Sequence, residues 1–510
     1  MSKNIGRGTI ILIASGILCK ALGALFRLPL TSILGIEGIG VFQMVMAVYS
    51  FALVLTSGGV AATLSKYVSQ ARARGDWGKI KSLLRSALIY SLTGGIIVGG
   101  IIFAFAGGIS AVQSIPDGVL SYRLMVLLVP FGGIIAAVRG VFQGYENMTP
   151  TAVSQVLEQG GKFGFGLLFA FLFGKKGLAA GVFGAFLGIT ISEVIVIIVL
   201  SIYMKVRGRN NKIVLSKTKT AFVKDTATLS LGLSIMPLVS AIDSFIIVSR
   251  LMLAGFSAEN ATALFGLQTG VVGALMNFPL ILSSSISVAL LPSVSYDEAA
   301  LSEQSQNSIS KTLKIMWLVL MPLSVGIASI SRPLYSLIYP NLDKNLLDFA
   351  VNLTYLGAVS TIITALMQFF VTLLQAKGLF RYCMLSYLVA GVAKILCVYF
   401  LCAFESVNIY GIAVGNIAFA SIVVIMALVR NKRKVSVGFF DLALPLLSAV
   451  AMNLAILRLL SLTSFSPMVQ VVLSIALGGV IYVVCTLPTS SGIVKDYVKA
   501  KNKKQEKKAN

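Results

Sequence analysis

Apolar residues along this chain fall into blocks of about twenty, separated by short polar stretches. A helix of that length, rising about 1.5 Å per residue, crosses about 30 Å of hydrocarbon. A transmembrane β-barrel would instead need alternation of period two. Blocks such as 189–202 are apolar on all sides and lack that alternation. The pattern therefore predicts an all-α, polytopic membrane protein with about fourteen transmembrane helices. Their cores are expected over 8–30, 39–65, 86–112, 121–143, 151–173, 178–204, 227–254, 262–292, 313–338, 347–375, 381–402, 409–429, 438–460 and 468–488. The eighth and tenth exceed a perpendicular crossing, which implies tilt or extension beyond the bilayer. Pro29, Pro130, Pro237, Pro279, Pro322 and Pro445 are expected to break or kink their spans. Paired glycines such as Gly94-Gly95 and Gly160-Gly161 are expected to let helices approach closely.

Composition agrees: the 510 residues are 57% hydrophobic and only 12% charged, with a mean hydropathy of +0.92. The first block, with Lys20 and Arg27 inside it and no clear small-residue cleavage site, is expected to be helix 1 rather than a cleaved signal peptide. Cys19, Cys383, Cys397, Cys402 and Cys485 have no metal-ligand spacing and read as small core residues. The chain has no histidine, so the usual proton shuttle and metal ligand are missing and any proton coupling falls to carboxylates. No cofactor is expected.

The net charge of +24 changes the picture through its distribution. With a cytoplasmic N-terminus, thirty Lys and Arg fall on that side of the membrane. Only Arg123, Lys175, Lys176, Arg332 and Lys344 fall on the other. This asymmetry predicts that both termini are cytoplasmic. The lysine-rich tail reads as a topology signal and a contact for anionic membrane lipids. No nucleic-acid-binding motif accompanies the charge, so nucleic acid is not an expected partner.

An internal repeat is visible. The segment 139–168 aligns with 371–400, placing Gln143 on Gln375 and Lys162 on Lys394; likewise 51–68 resembles 278–295. The expected organisation is two pseudo-symmetric six-helix lobes, 1–204 and 227–430. A basic cytoplasmic linker, 205–226, joins them. Two extra helices over 431–490 and a basic tail, 491–510, follow. Both copies start on one side of the membrane, and transporters with such parallel repeats bind substrate between the halves and rock them in alternating access.

Ionisable groups at membrane depth are the candidate chemistry, because they are costly there unless paired or facing a cavity. The basic ones are Lys20, Arg27, Arg139, Lys162, Arg250, Lys394 and Arg458; the acidic ones are Glu158, Asp243 and Glu193. Glu158 and Lys162, spaced i, i+4, can pair, and Asp243 and Arg250 share a helix face. Arg27 and Arg458 lie near outer span ends and can snorkel, whereas Arg139, near an inner end, fits a topology anchor. Lys20, Lys162 and Lys394 sit near mid-span, and the repeat would set the last two on opposite walls of one cavity. An excess of positive charge in low dielectric suits a polyanion, with pyrophosphate the natural candidate. The substrate site is therefore expected to draw on Lys20, Arg27, Lys162, Arg250, Lys394 and Arg139, with Glu158, Asp243 and Glu193 serving pairing or ion coupling.

The stretch 7–76, above all "GIEGIGVFQM" and "LSKYVSQARARGD", resembles the polysaccharide-biosynthesis-type, stage V sporulation protein B-like family of the multidrug/oligosaccharidyl-lipid/polysaccharide (MOP) exporter superfamily. That superfamily also holds the MurJ-type lipid II flippases. The resemblance implies two lobes around a cationic cavity in a bacterial cytoplasmic membrane. It also implies a final helix pair forming a groove for a lipid tail, and an undecaprenyl-pyrophosphate-linked oligosaccharide as substrate. Lys20 and Arg27 match the basic pair on helix 1 of those flippases; their basic residues on helices 2 and 8 have no counterpart here. The expected function is thus a flippase for a lipid-linked glycan, lipid II or a related cell-wall precursor, working alongside other cell-wall synthesis proteins. The alternative is a cation-coupled multidrug exporter of the MATE type. An enzyme is not expected, because the outer loops are short and their acids form no cluster.

Overall fold

The computed structural model describes residues 2–207, 219–289, 303–431 and 438–509, which are helical throughout apart from short turns. In chain order the helices are α1 Ser2–Ser57, α2 Val60–Ala73, α3 Trp77–Ala104, α4 Ala106–Val112, α5 Val119–Gly144, α6 Thr149–Gly174, α7 Leu178–Arg207, α8 Lys219–Leu233, α9 Ile235–Leu253 and α10 Ala258–Gly266. A π-helical segment, Leu267–Val272, leads into α11 Gly273–Ala289. Then come α12 Glu303–Ser329, α13 Ser331–Ile338, α14 Lys344–Ala376, α15 Phe380–Leu401, α16 Tyr410–Arg430, α17 Phe439–Leu462 and α18 Pro467–Ala509.

Among the described residues, thirteen helical stretches are long and apolar enough to cross a membrane. The first runs without a connecting loop from Ala14 to Ala73 and takes in most of the first predicted span and all of the second. They are divided at Gly35, whose φ of 75° and ψ of 175° lie outside the helical region. A side chain there would be strained, so glycine alone turns the chain without spending residues on a loop. Counting that break, the stretches match the predicted spans one for one. The protein is a multi-pass helical membrane protein.

The breaks do not fall at the prolines. Helix continues through Pro29, Pro130, Pro279, Pro322 and Pro445, and Pro237 occupies the first turn of α9. In a membrane, neighbouring helices and serine or threonine hydroxyls satisfy the carbonyl that a proline frees. The expected span 227–254 is instead broken at Ser234, and 313–338 at Ile330. The end of the expected span 262–292 lies outside the described residues.

The chain forms two compact units. The first comprises Met1–Ala274 together with Tyr387–Gly415. Its α2 presents Val60, Leu64, Val68 and Ala71 at helical spacing. These residues pack on Ile80, Leu83 and Ala87 of α3, Ala137 and Val141 of α5, and Phe222 of α8. Where α1 crosses α10, backbone lies on backbone. A Cβ on Gly40 would come within 2.2 Å of the Thr262 carbonyl oxygen, and one on Gly266 within 2.3 Å of the Ile36 carbonyl oxygen.

The second unit comprises Leu275–Ser386 and Asn416–Asn510. Met321 and Ile330 pack with Ala449, Met452 and Ile456 of α17 and with Val471 and Tyr482 of α18. Polar clamps fix these helices: Lys314 Nζ lies 2.5 Å from Asp441 Oδ2, and Trp317 Nε1 donates to the Leu442 carbonyl at 3.0 Å. Ser329 Oγ donates to Asn453 Oδ1 at 2.7 Å. The faces turned outward, with Ile96, Ile97 and Ile101 on α3 and Val472, Ile475, Val480 and Val483 on α18, are apolar, as a lipid-facing surface must be.

Candidate functional site

All nine sequence-selected site residues lie in the first compact unit. A first cluster forms where α5, α6 and α7 meet. Glu158 holds two cations: Arg139 Nη2 at 2.9 Å from its Oε2, and Lys162 Nζ at 2.7 Å from its Oε1. Arg139 Nε also donates to Ser154 Oγ at 2.8 Å. The Ser192 hydroxyl donates to the Glu158 backbone carbonyl at 2.9 Å, tying α7 to α6. Gly161 permits this approach, since a Cβ there would meet Ser192 Oγ at 2.3 Å. With all three ionised, the triad carries one net positive charge. Glu193 of α7 is nearly fully buried and accepts a hydrogen bond from Tyr49 Oη of α1 at 2.7 Å. Its other oxygen has no hydrogen-bond partner.

A second cluster joins α9 to α15. Lys394 Nζ lies 2.7 Å from Asp243 Oδ2, with both side chains largely buried. The Arg250 guanidinium carbon lies 3.7 Å from the centre of the Tyr399 ring, in cation–π contact. Asp243 and Arg250 thus share a helix but not an ion pair: the buried carboxylate takes the lysine of another helix, and the arginine takes an aromatic face.

Arg27 reaches a segment far along the chain. Its Nη1 donates to the backbone carbonyl of Thr269 at 3.2 Å, in the π-helical segment. Thr269 Oγ1 in turn donates to the Phe265 carbonyl at 2.7 Å. π segments loosen the backbone ladder, and they recur at functional sites. Arg27 has no carboxylate within salt-bridge distance among the described residues, and neither has Arg250. Lys20, about two turns before Arg27, is exposed. Arg458 lies in the second unit at an exposed span end, fitting a snorkelling role.

The charge at membrane depth is therefore sorted. Of the three mid-span lysines, Lys162 and Lys394 each pair with a carboxylate, Glu158 being shared with Arg139, while Arg27 and Arg250 have no carboxylate partner among the described residues. Sequence reading missed Tyr49, Tyr399 and Thr269. The two tyrosines carried a signal, a phenol within an apolar run, but partners so distant in sequence leave no spacing to read. Thr269 acts through its backbone carbonyl, which no residue pattern encodes.

A family model described as "Polysaccharide biosynthesis protein" matches residues 5–297, more than half of the chain. The chain belongs to the polysaccharide biosynthesis protein family. Within that frame it is similar to stage V sporulation protein B of Bacillus subtilis (strain 168), with 30% identity over 57% of this chain. That match spans 58% of the relative's own length, less than two thirds of it. It is also similar to the lipid II flippase MurJ of the same organism, with 26% identity over 72% of this chain and 73% of the relative. Among solved structures, a lipid II flippase MurJ in an inward closed conformation superposes with a TM-score of 0.71 at 12% identity, covering 96% of this chain and 99% of that one. An inward-facing multidrug resistance MATE family transporter of the MOP superfamily gives a TM-score of 0.62 at 14% identity, covering 90% and 96%. This polysaccharide biosynthesis family member thus shares the MOP superfamily fold.

Proposed function

We propose that this protein is a flippase that moves an anionic, undecaprenyl-pyrophosphate-linked oligosaccharide from the inner to the outer leaflet by alternating access. Lipid II or a related cell-wall precursor is the substrate, and both termini lie in the cytoplasm. The observation that carries this reading is Arg27, a guanidinium at membrane depth that rests on a backbone carbonyl instead of a carboxylate. A carboxylate partner would cancel its charge; a carbonyl orients the group and leaves its charge for an anion. Arg250, stacked on Tyr399, supplies a second such cation, and the Arg139–Glu158–Lys162 triad a third net charge. The family and the similarity to the lipid II flippase MurJ support the same direction. In this proposal the six-helix lobes 1–204 and 227–430 rock about the site, while helices over 431–490 receive the lipid tail.

The second reading is a cation-coupled exporter on the same fold, and Glu193 favours it. This buried carboxyl has one oxygen without a partner and only a phenol on the other.

The deciding experiment is transbilayer movement of fluorescent lipid II in proteoliposomes. Wild type is expected to accelerate it over protein-free vesicles. Arg27→Gln should reduce the rate by about tenfold or more, the worth of one charge-assisted hydrogen bond. Folded, energised protein that moves no lipid II but expels cationic dyes would replace the flippase reading with the exporter one.

A further inference from the structure

Helix α14 ends at Ala376, the chain turns at Gly378 (φ 72°), and α15 starts at Phe380. This turn and the end of α16 border an open surface cavity of about 590 Å³, lined by Leu379, Phe380, Arg381, Tyr382, Leu385 and Arg430, all within the second compact unit. Arg381 is the second residue of the span Phe380–Leu401, and Arg430 is the last of the span Tyr410–Arg430. Both guanidinium groups therefore sit where hydrocarbon gives way to headgroups. Neither has a carboxylate within salt-bridge distance among the described residues.

The cavity is built. The Arg430 guanidinium carbon lies 5.7 Å from the centre of the Tyr382 ring, and the Tyr382 hydroxyl donates to the Met426 carbonyl at 2.9 Å, holding that ring in place. The neighbouring cation, Lys377, is turned to Asn431 Oδ1 at 2.5 Å. Facing the arginines are apolar groups, with Phe380 and Leu385 each more than half exposed. A charge that only set topology would need neither a second arginine from another helix nor a cavity. A soluble anion would gain nothing from the apolar wall.

We propose that this cavity binds one anionic phospholipid of the bilayer. The Arg381 and Arg430 forks clasp its phosphate, and Phe380 and Leu385 cover the start of its acyl chains.

The test counts phosphatidylglycerol retained by the purified full-length protein in native mass spectrometry, against phosphatidylcholine. Wild type is expected to retain one phosphatidylglycerol preferentially. Arg381→Gln combined with Arg430→Gln should weaken that retention about tenfold or more. Arg430→Lys keeps the charge without the fork and should fall between. Lys205→Gln removes a cation from another span end, Leu178–Lys205, and should change nothing. Equal retention in the double variant, or an equal loss in Lys205→Gln, overturns the proposal. So does displacement of the lipid by inorganic phosphate at the same concentration, which would assign the arginines to a free anion. Displacement by undecaprenyl phosphate at equal concentration would assign the cavity to the polyprenyl carrier instead. Unchanged thermal unfolding of the variants shows that any loss is one of binding; if the double variant does not fold, Arg430→Lys alone decides.

Discussion

Glu158 accepts from two cations at once, and this makes it the most consequential single side chain of the first unit. Glu158→Gln would leave Arg139 and Lys162 side by side in low dielectric. Breaking such a pair from one side costs about 3 kcal/mol or more when fully buried. Its residual exposure here points to about 2–3 kcal/mol, read as lower thermal stability in detergent. Lys162→Met keeps the Arg139–Glu158 bond and should cost less than half as much. A loss in Lys162→Met equal to that in Glu158→Gln would show that the carboxylate serves the lysine alone. Tyr49→Phe removes the one donor that Glu193 has on its bonded oxygen. It should cost about 1–3 kcal/mol by the same measurement, the penalty for a buried group left unmatched. The selected ionisable residues were visible at this scale because a charge in an apolar run stands out. Their pairings were legible only where spacing was local: Glu158–Lys162 follows from i, i+4, whereas Asp243–Lys394 needs two helices far apart in the chain to meet.

At the scale of elements, the crossing of α1 and α10 leaves no space for a side chain. Gly266→Val should destabilise the protein by about 1–3 kcal/mol or prevent its assembly, because the Ile36 carbonyl and the Gly40 backbone cannot retreat as a flexible side chain would. Gly35→Ala acts differently. It faces open space, so its cost is the positive-φ extended backbone alone, about 1–3 kcal/mol. A comparison of the two by thermal unfolding separates steric from conformational strain. The spans themselves were readable because each is a long uninterrupted apolar block. Their internal breaks were not, because proline marks a missing donor but not whether neighbours make good the loss. Pro322 stays inside a continuous α12 while Ile330, with no local signature, ends it. The π segment over Leu267–Val272 likewise has no distinguishing composition.

For the whole molecule, fold class and span number follow from hydropathy alone, and membership of the family from the N-terminal half. The partition into compact units was not readable, since it depends on which helices touch. Residues 387–415, late in the chain, complete a unit whose other parts end at Ala274. This has a consequence for biosynthesis. When α9 leaves the ribosome and enters the bilayer, Asp243 goes in without Lys394, which has not yet been translated. A lone aspartate at mid-helix opposes insertion by about 2.5–3.5 kcal/mol. The nascent chain therefore carries that burden until translation has passed α15. Asp243→Asn should raise the insertion efficiency of α9 in a truncated nascent chain and lower the stability of the finished protein. One substitution would then have opposite signs on the translocon and in the folded state.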